Sequence, residues 1–320
     1  MSAAPINRPD SDLKSDDAVA RAGWLYYAGG MTQDQIAAEM GISRQRAQRL
    51  VSRAVANGLI KVRLEHPLAA CLELEARLRD RYGLIECRVA PMLGVSADPA
   101  RVIAPAAASL FEKVLARAEP QVIGVGTGRA LRAMSDELQE GTCDRHRLVS
   151  LIGNISIDGS ATMFEVILYI ASRLNAPHYP MPVPVISSNR EERDAFLALK
   201  PVQAVHRLGR KADAIFVGIG QMNNQAPLFL DGFVSEQELS EVRSLGGIGE
   251  VAGHIYDANG HYIDSEIHGR MAGIRVEPRL ERLAVGIAAG ASKIDAIRGA
   301  LNGRIINGLV TDEATATALL

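Results

Sequence analysis

Cysteine is scarce in this chain and poorly spaced for cross-linking or metal binding. Three of its 320 residues are Cys, at 71, 87 and 143. That is an odd number, far apart and without zinc-ligand spacing, so packed thiols in a reducing compartment are expected. No run approaches the roughly 18 apolar residues of a membrane span. The N-terminal MSAAPINRPDSDLK has no apolar signal-peptide core and reads as a short flexible arm of a cytoplasmic protein. Internal repeats, low-complexity tracts and nicotinamide, flavin or nucleotide signatures are all missing, so no cofactor is expected. Aromatic residues make up 4%. Three of them, Trp24, Tyr26 and Tyr27, stand together and are read as core packing rather than a stacking platform.

What remains is ample for a folded core. The chain is 48% apolar and 22% charged, and its length suggests two domains. The stretch that organises it is TQDQIAAEMGISRQRAQRLVSR, Thr32 to Arg53. Thr32 and Gln35 form a capping box, and Ile36, Ala37, Met40, Ile42, Ala47, Leu50 and Val51 follow helical spacing. Gly41 suits a left-handed corner, and Ser43 caps a second helix. Two helices joined by such a corner predict a helix-turn-helix, whose second helix enters the DNA major groove.

Charge supports that reading. From Gly41 to Arg63 there are six basic residues, Arg44, Arg46, Arg49, Arg53, Lys61 and Arg63, and no Asp or Glu. Through Arg63 nine Lys and Arg stand against six Asp and Glu, a formal +3, which leaves −5 for the rest of a chain at −2. A basic small domain on an acidic larger one fits a DNA reader joined to a sensor. Arg44, Gln45, Gln48 and Arg49 are candidates for reading base edges. Thr32, Ser43, Arg46 and Arg53 are candidates for the DNA-binding face and its phosphate contacts. A solvated charged face is the bland alternative.

Ser15 to Gly29 is predicted as a helix ahead of the hairpin, and Leu59 to Leu64 as a strand, a single-stranded wing. Leu68 to Tyr82 reads as a linker or surface helix, with Leu72, Leu74, Leu78 and Tyr82 as its apolar contacts. Domains of 1–65 and 66–320 follow. From Leu84 onward, apolar β-branched runs alternate with helical periods. Strands are expected at 84–89, 121–125, 147–152, 214–219, near 251–257 and 273–276, and at 283–289 and 304–310. Helices are expected at 99–117, 129–138, 161–174, 190–199, 201–208, 235–244, 292–301 and 312–319. The stretch 178–185, HYPMPVPV, is extended, broken by proline and near a sheet edge. Strands without polar alternation, separated by helices, mean a mostly parallel sheet covered on both faces.

Ligands bind such sheets beyond the carboxyl ends of the strands. Four loops there carry candidates. GVGTGRA offers Gly126, Thr127, Gly128 and Arg129 at a helix N-terminus that suits an anion. It is not a dinucleotide fingerprint, because Arg129 stands where a third glycine is required. IGNISIDGS offers Gly153 and Asn154, with helix capping by Asp158 or Ser160 as the alternative. GGIGEVAGHIYDANG offers Glu250 and Asp257 as acceptors for sugar hydroxyls, Asp257 being equally a turn residue. AAGASKIDAI places Lys293 in a first helical turn, where the helix dipole disfavours a cation unless an anion is near. His261 and His268 with Asp264 and Glu266 follow no metal-ligand pattern, and no metal is expected.

These blocks also carry a resemblance. MTQDQIAAEMGISRQRAQRLVSRAVANGLIKV, GVGTGRAL, KADAIFVGIGQ, GGIGEVAGHIYDANG and VGIAAGASKIDAIRGALNGRIINGLVTDEATATALL make the chain similar, over nearly its whole length, to the SorC family of sugar-sensing bacterial transcription regulators. The resemblance implies an all-α helix-turn-helix domain followed by a Rossmann-like α/β effector domain of the phosphosugar isomerase and glucosamine-phosphate deaminase type. It implies a phosphate gripped by Gly126, Thr127, Gly128, Arg129 and Lys293. It also implies a sugar, polyol or sugar-phosphate effector, double-stranded operator DNA of a carbohydrate-utilisation operon, and a homo-oligomer, dimer or tetramer. The alternative is an isomerase- or deaminase-like enzyme with a DNA-binding appendage. Its general base would come from Asp158, Glu250, Asp257, His178 or His254, none of which sits in a matching catalytic motif, so no enzyme is expected.

Overall fold

The computed structural model describes residues 15–57, 59–60, 69–92, 97–156, 158–162, 165–278 and 281–320. The chain divides into two compact units, Met1–Glu65 and His66–Leu320.

The first unit holds α1 (Ser15–Tyr27), α2 (Gln33–Met40) and α3 (Arg44–Ala56). Thr32 accepts from the Gln35 amide, and the Gln35 side chain accepts the Thr32 N–H at 2.8 Å, closing the capping box. Gly41 ends α2 at φ 66°, and the Ser43 hydroxyl caps α3. Val19, Ala22, Leu25, Ile36, Ala37, Ala47, Leu50, Val51 and Ala54 form one core cluster. At Gly23 a Cβ would lie 2.7 Å from that of Ala54, so α1 and α3 meet where a side chain is absent. That close contact corrects the reading of the aromatics. Trp24 is 61% exposed, and Tyr26 and Tyr27 are also on the surface, because the small residues beside them take the core position. Leu59 and Ile60 form a bend; the rest of the expected wing, Lys61 to Leu64, lies outside the described residues, as do the N-terminal arm and Leu68.

The second unit begins its described part with α4 (Ala69–Tyr82), β1 (Glu86–Ala90), α5 (Pro99–Leu115), β2 (Val122–Val125) and α6 (Arg129–Glu137). There follow β3 (Arg147–Ile155), α7 (Val166–Leu174), β4 (His178–Pro184), α8 (Arg190–Ala198), α9 (Lys200–Arg210), β5 (Ala214–Gly218) and β6 (Gly220–Gln221). Next come α10 (Pro227–Leu230), α11 (Glu236–Ser244), β7 (Gly249–Val251), β8 (His254–Tyr256), α12 (Glu266–Arg270) and β9 (Leu283–Ile287). A 3₁₀ turn, Ala291–Lys293, leads into α13 (Ile294–Asn302), β10 (Gly308–Asp312) and α14 (Glu313–Leu319).

Seven strands form one sheet in the order β1-β10-β9-β5-β2-β3-β4, every pairing parallel. Both faces are covered. Ile215 and Val217 of β5 join one core cluster, while Ala214 and Phe216 join another on the opposite face. This is why the strands read as unbroken apolar runs. A small antiparallel sheet, β6-β7-β8, follows β5.

Four expectations are corrected. Residues 273–276 are not a strand, although the Ile274 amide still donates to Leu151 O at 2.7 Å. The last strand starts at Gly308 rather than 304, because Arg304 turns the chain at φ 53°. The helix expected from Ala161 starts at Val166, Ala161 being bridged to Ile155. In α4 the buried face is Cys71, Glu75 and Leu78, while Leu72 is exposed. The Glu75 carboxylate accepts the Val89 amide at 3.0 Å, which docks α4 on β1.

Candidate functional site

A cavity of about 1310 Å³ opens at the carboxyl ends of β2, β5 and β9. After β2 the chain steps to β3 and β4 on one side and returns as β5 on the other. The cavity therefore sits at a topological switch point, the usual ligand position in open parallel sheets. Two glycine turns face it. Gly128 at φ 113° precedes α6, and Gly290 at φ 109° precedes the turn into α13. Neither helix start has a side-chain cap, so its first amides are left for a ligand or water. Both φ values lie where side chains are disfavoured, which is the physical reason for glycine at each.

Five of the nine residues singled out for ligand contact line this cavity: Thr127, Gly128, Arg129, Glu250 and Lys293. The other four lie outside its wall. Gly126 donates its amide to Phe216 O at 2.9 Å and serves strand packing. A Cβ on Gly153 would sit 2.5 Å from the carbonyl oxygens of Val183 and Pro184. Asn154 donates through Nδ2 to Glu165 Oε1 at 2.7 Å. Asp257 accepts from the Asn259 and His261 amides, both at 2.9 Å, and closes its own turn. His178, which stands beside Ala176 O, is also outside the wall.

Charges within the cavity act on one another. Burial pushes the Lys293 ammonium down from the usual lysine range; the Glu250 carboxylate opposes that and Arg129 adds to it. Lys293 Nζ also donates to the carbonyl of Ile219 at the end of β5. Burial raises Glu250, opposed by the Gly253 amide, which it accepts at 2.8 Å, and by Lys293. Asp231 is likewise raised by partial burial and pulled back by Arg129. This answers the sequence question about Lys293: an acidic side chain is near the cation.

Asp231 and Gln225 in the wall had no sequence signal, and Gln221 closes the KADAIFVGIGQ block without having been singled out there. Gln221 ends β6, while Gln225 and Asp231 lie between β6 and α11, in a stretch that carries no motif. Among the described residues no group of three His, Cys, Asp or Glu is placed to hold a metal.

In the first unit, Gln45, Gln48, Arg49 and Arg53 are exposed on α3, opposite the buried Ala47, Leu50, Val51 and Ala54. Arg46 is half-buried in the first turn of α3. Arg44 Nε lies 3.4 Å from Asp34 of α2. Thr32 and Ser43 spend their hydroxyls on capping. The arrangement is a cationic, amide-rich helix face on a stable hairpin.

The sugar-binding domain family, Sugar-bind, matches residues 66–320, and the MarR family matches residues 22–67. The erythritol catabolism regulatory protein EryD of Brucella abortus (strain 2308) is 37% identical over 307 residues, covering 96% of this chain and 97% of EryD. The transcriptional regulator LsrR of Enterobacter sp. (strain 638) is 33% identical, with 96% and 94% covered. Among solved structures, the full-length sorbitol operon regulator SorC from Klebsiella pneumoniae superposes with a TM-score of 0.72 at 26% identity, over 96% of this chain and 99% of that one.

Proposed function

The chain belongs to the SorC-type family of transcriptional regulators with a sugar-binding domain, and from that premise we propose that a sugar- or polyol-derived phosphate in the 1310 Å³ cavity controls how α3 binds operator DNA. It is a DNA-binding regulator and not an enzyme. The first unit is the DNA reader and the second the effector sensor. Gln45, Gln48 and Arg49 read bases in the major groove, while Arg46 and Arg53 engage phosphates beside the helix starts that Thr32 and Ser43 cap; Arg44 shares its guanidinium with Asp34. Paired half-sites call for a homo-oligomer, a dimer or tetramer. No described helix is long and apolar enough to cross a membrane.

One observation carries the effector reading: two uncapped glycine turns open on the same cavity, each followed by a cation, Arg129 or Lys293. Amides at helix starts with a nearby cation form an anion site. The parallel sheet with its cavity at the strand ends supports kinship with phosphosugar isomerases and deaminases. The EryD likeness favours a small polyol as the source of the effector. Effector binding favours one subunit arrangement, and that bias changes operator affinity.

Thermal unfolding against sugars, polyols and their phosphates, with Lys293→Ala alongside, tests this. Ligand at 100 times its Kd adds about 2.7 kcal/mol. Stabilisation of the wild type by phosphorylated compounds alone, lost in Lys293→Ala, supports the reading. Equal stabilisation of both proteins by free polyols overturns the anion site.

A further inference from the structure

The last helix of the chain is bonded both to the cavity wall and to α4, the first described helix after the DNA-reading unit, which ends at Glu65. The first turn of α14 is tied to the wall, because the Gly290 amide donates to Thr315 Oγ1 at 2.9 Å. Its last turn is tied to α13, the helix entered through Lys293: the Arg298 guanidinium donates to the Ala318 carbonyl at 2.9 Å. Both turns of α14 are thus fastened to elements that leave the cavity.

The same two turns hold α4. Near the start of α4, the Cys71 thiol is hydrogen-bonded to the Glu313 carboxylate; burial, then that carboxylate, pushes the thiol up to about 11. Glu313 Oε2 also accepts the Met92 amide at 2.8 Å, just past β1. At the end of α4, the Tyr82 hydroxyl donates to Leu319 O at 2.8 Å and the Arg81 guanidinium donates to Leu320 O. Ala316 and Leu319 of α14 share a buried cluster with Cys71 and Leu78 of α4. The other support of α4 is β1, which is paired with β10 from Glu86 to Ala90 and is fixed by the sheet. Of the two supports, α14 is the one free to follow the cavity. A helix of seven residues, about 10 Å long, moves as one body. A ligand that takes the uncapped amides after Gly290 bears on Thr315, and any shift there reaches Glu313 and Leu319 together. Close-packed elements answer such a push by changing between discrete arrangements.

We propose that α14 is the coupling element of this regulator: it carries the occupied or empty state of the cavity from the Gly290 turn, through Thr315, to α4 at Glu313 and Tyr82. Glu313 and Tyr82 are positioning residues, and neither lines the cavity. Their hydrogen bonds set where α4 lies against the second unit, and α4 is the stretch from which the chain continues to the DNA reader. The proposal rests on the reading that an effector in the cavity controls operator binding, and it names the path.

The test uses the full chain, with erythritol and the monophosphates of erythritol, ribose and glucose as probes. Calorimetry gives the affinity of each probe for the wild type, Tyr82→Phe, Glu313→Gln and the double variant. Fluorescence anisotropy gives the affinity of each protein for a selected palindromic operator, with and without the probe that binds the wild type tightest. Coupled sites change one another's affinity by about 5–150-fold, and the wild type should show such a factor. In the double variant the factor should fall to about twofold or less, while affinity for the probe alone stays within about threefold of the wild type. A merely structural role would lower stability and leave the factor unchanged. A double variant that keeps the full wild-type factor overturns the proposal and leaves the effector reading intact. So does one that loses affinity for the probe itself, because the two residues would then serve the site and not the path. If no probe binds the wild type, or a bound probe leaves operator affinity unchanged, the effector reading falls and takes this proposal with it. Where the double variant fails to fold, Tyr82→Phe, which loses one hydroxyl, decides: its factor should fall by about twofold or more, and an unchanged factor overturns the proposal.

Discussion

The backbone N–H of Gly290 donates to Oγ1 of Thr315 at 2.9 Å, which ties the cavity-wall turn after β9 to the first turn of α14. Thr315 is buried, and its own amide is capped by Asp312 at 2.7 Å. Gly290 holds φ 109°, and this bond fixes the direction in which the following amides point. Thr315→Val keeps the shape and removes the acceptor, so the Gly290 N–H loses its partner. A loss of about 1–3 kcal/mol of stability is expected, read by urea unfolding. Effector binding should weaken as well, because the turn loses its anchor; retained affinity would show that the turn is held by packing alone.

A buried histidine sets an acid limit on the second unit. His254 lies between Tyr262, at 6.0 Å between ring centroids, and His268, at 5.2 Å. Its ring bonds to the Gly273 backbone, while Nε2 is buried without a partner among the described residues. Burial pushes its pKa down to about 3, and the neighbouring His268 and Arg275 act in the same direction. In the unfolded chain the ring titrates near pH 6.5. Above that pH both states are neutral and the full stability is present. Between about 6.5 and 3 only the unfolded state takes the proton, so stability falls with pH by about 1.4 kcal/mol per unit. His268 and His206 are lowered too, again first by burial, and add to the slope. Urea unfolding at pH 7.5, 6.0 and 5.0 should show the decline, and His254→Phe should remove one proton's share of it. An unchanged slope in the variant would place the acid sensitivity elsewhere.

Legibility tracked how local each determinant is. The capping box, the Gly41 corner and the Ser43 cap act within a few residues, and all form where spacing placed them. The parallel sheet was readable because burial on both faces forces unbroken apolar strands. Pairing across the chain was not readable. Gly153 belongs by sequence to a stretch that looks made for a ligand, yet it lies within β3, and its missing side chain makes room for the carbonyls of Val183 and Pro184, thirty residues away. Asp231 caps the end of the short α10 in a stretch without a motif and becomes a cavity residue only in the tertiary fold. Trp24, Tyr26 and Tyr27 read as core packing, yet all three are exposed, and it is Gly23 that lets α1 approach Ala54 closely.

The free edge of the main sheet is blunted by proline. The Val185 amide donates inward to Ile155 O at 3.0 Å, and Met181, Val183 and Val185 are buried while the residues between them are not. Positions 180, 182 and 184 are all Pro and have no N–H to donate. These three positions of the edge strand thus offer carbonyls but no donors, which opposes pairing with another strand. Pro180→Ala with Pro182→Ala restores two donors. Light scattering should show concentration-dependent aggregation of the double variant, with a thermal midpoint close to that of the wild type. A double variant that stays monodisperse would mean that side-chain shape, not missing donors, protects this edge.

The exposed face of α3 should separate residues that read sequence from residues that only hold the DNA. Gln48 and Arg49 stand opposite buried Ala47, Leu50 and Val51, a geometry that points them away from the hairpin. Bidentate pairing of Arg with guanine or Gln with adenine is worth about 1–3 kcal/mol of discrimination. Gln48→Ala and Arg49→Ala should therefore lower affinity for a selected palindromic operator far more than for random duplex. Arg53, in the last turn of α3, fits a phosphate contact. Arg53→Ala should weaken both duplexes alike and reduce the slope of log K against log salt by about 0.9. Fluorescence anisotropy across a salt series gives both quantities from one titration set. The alternative meaning of this charge run, a merely solvated face, makes a different forecast: all three variants would bind operator as the wild type does.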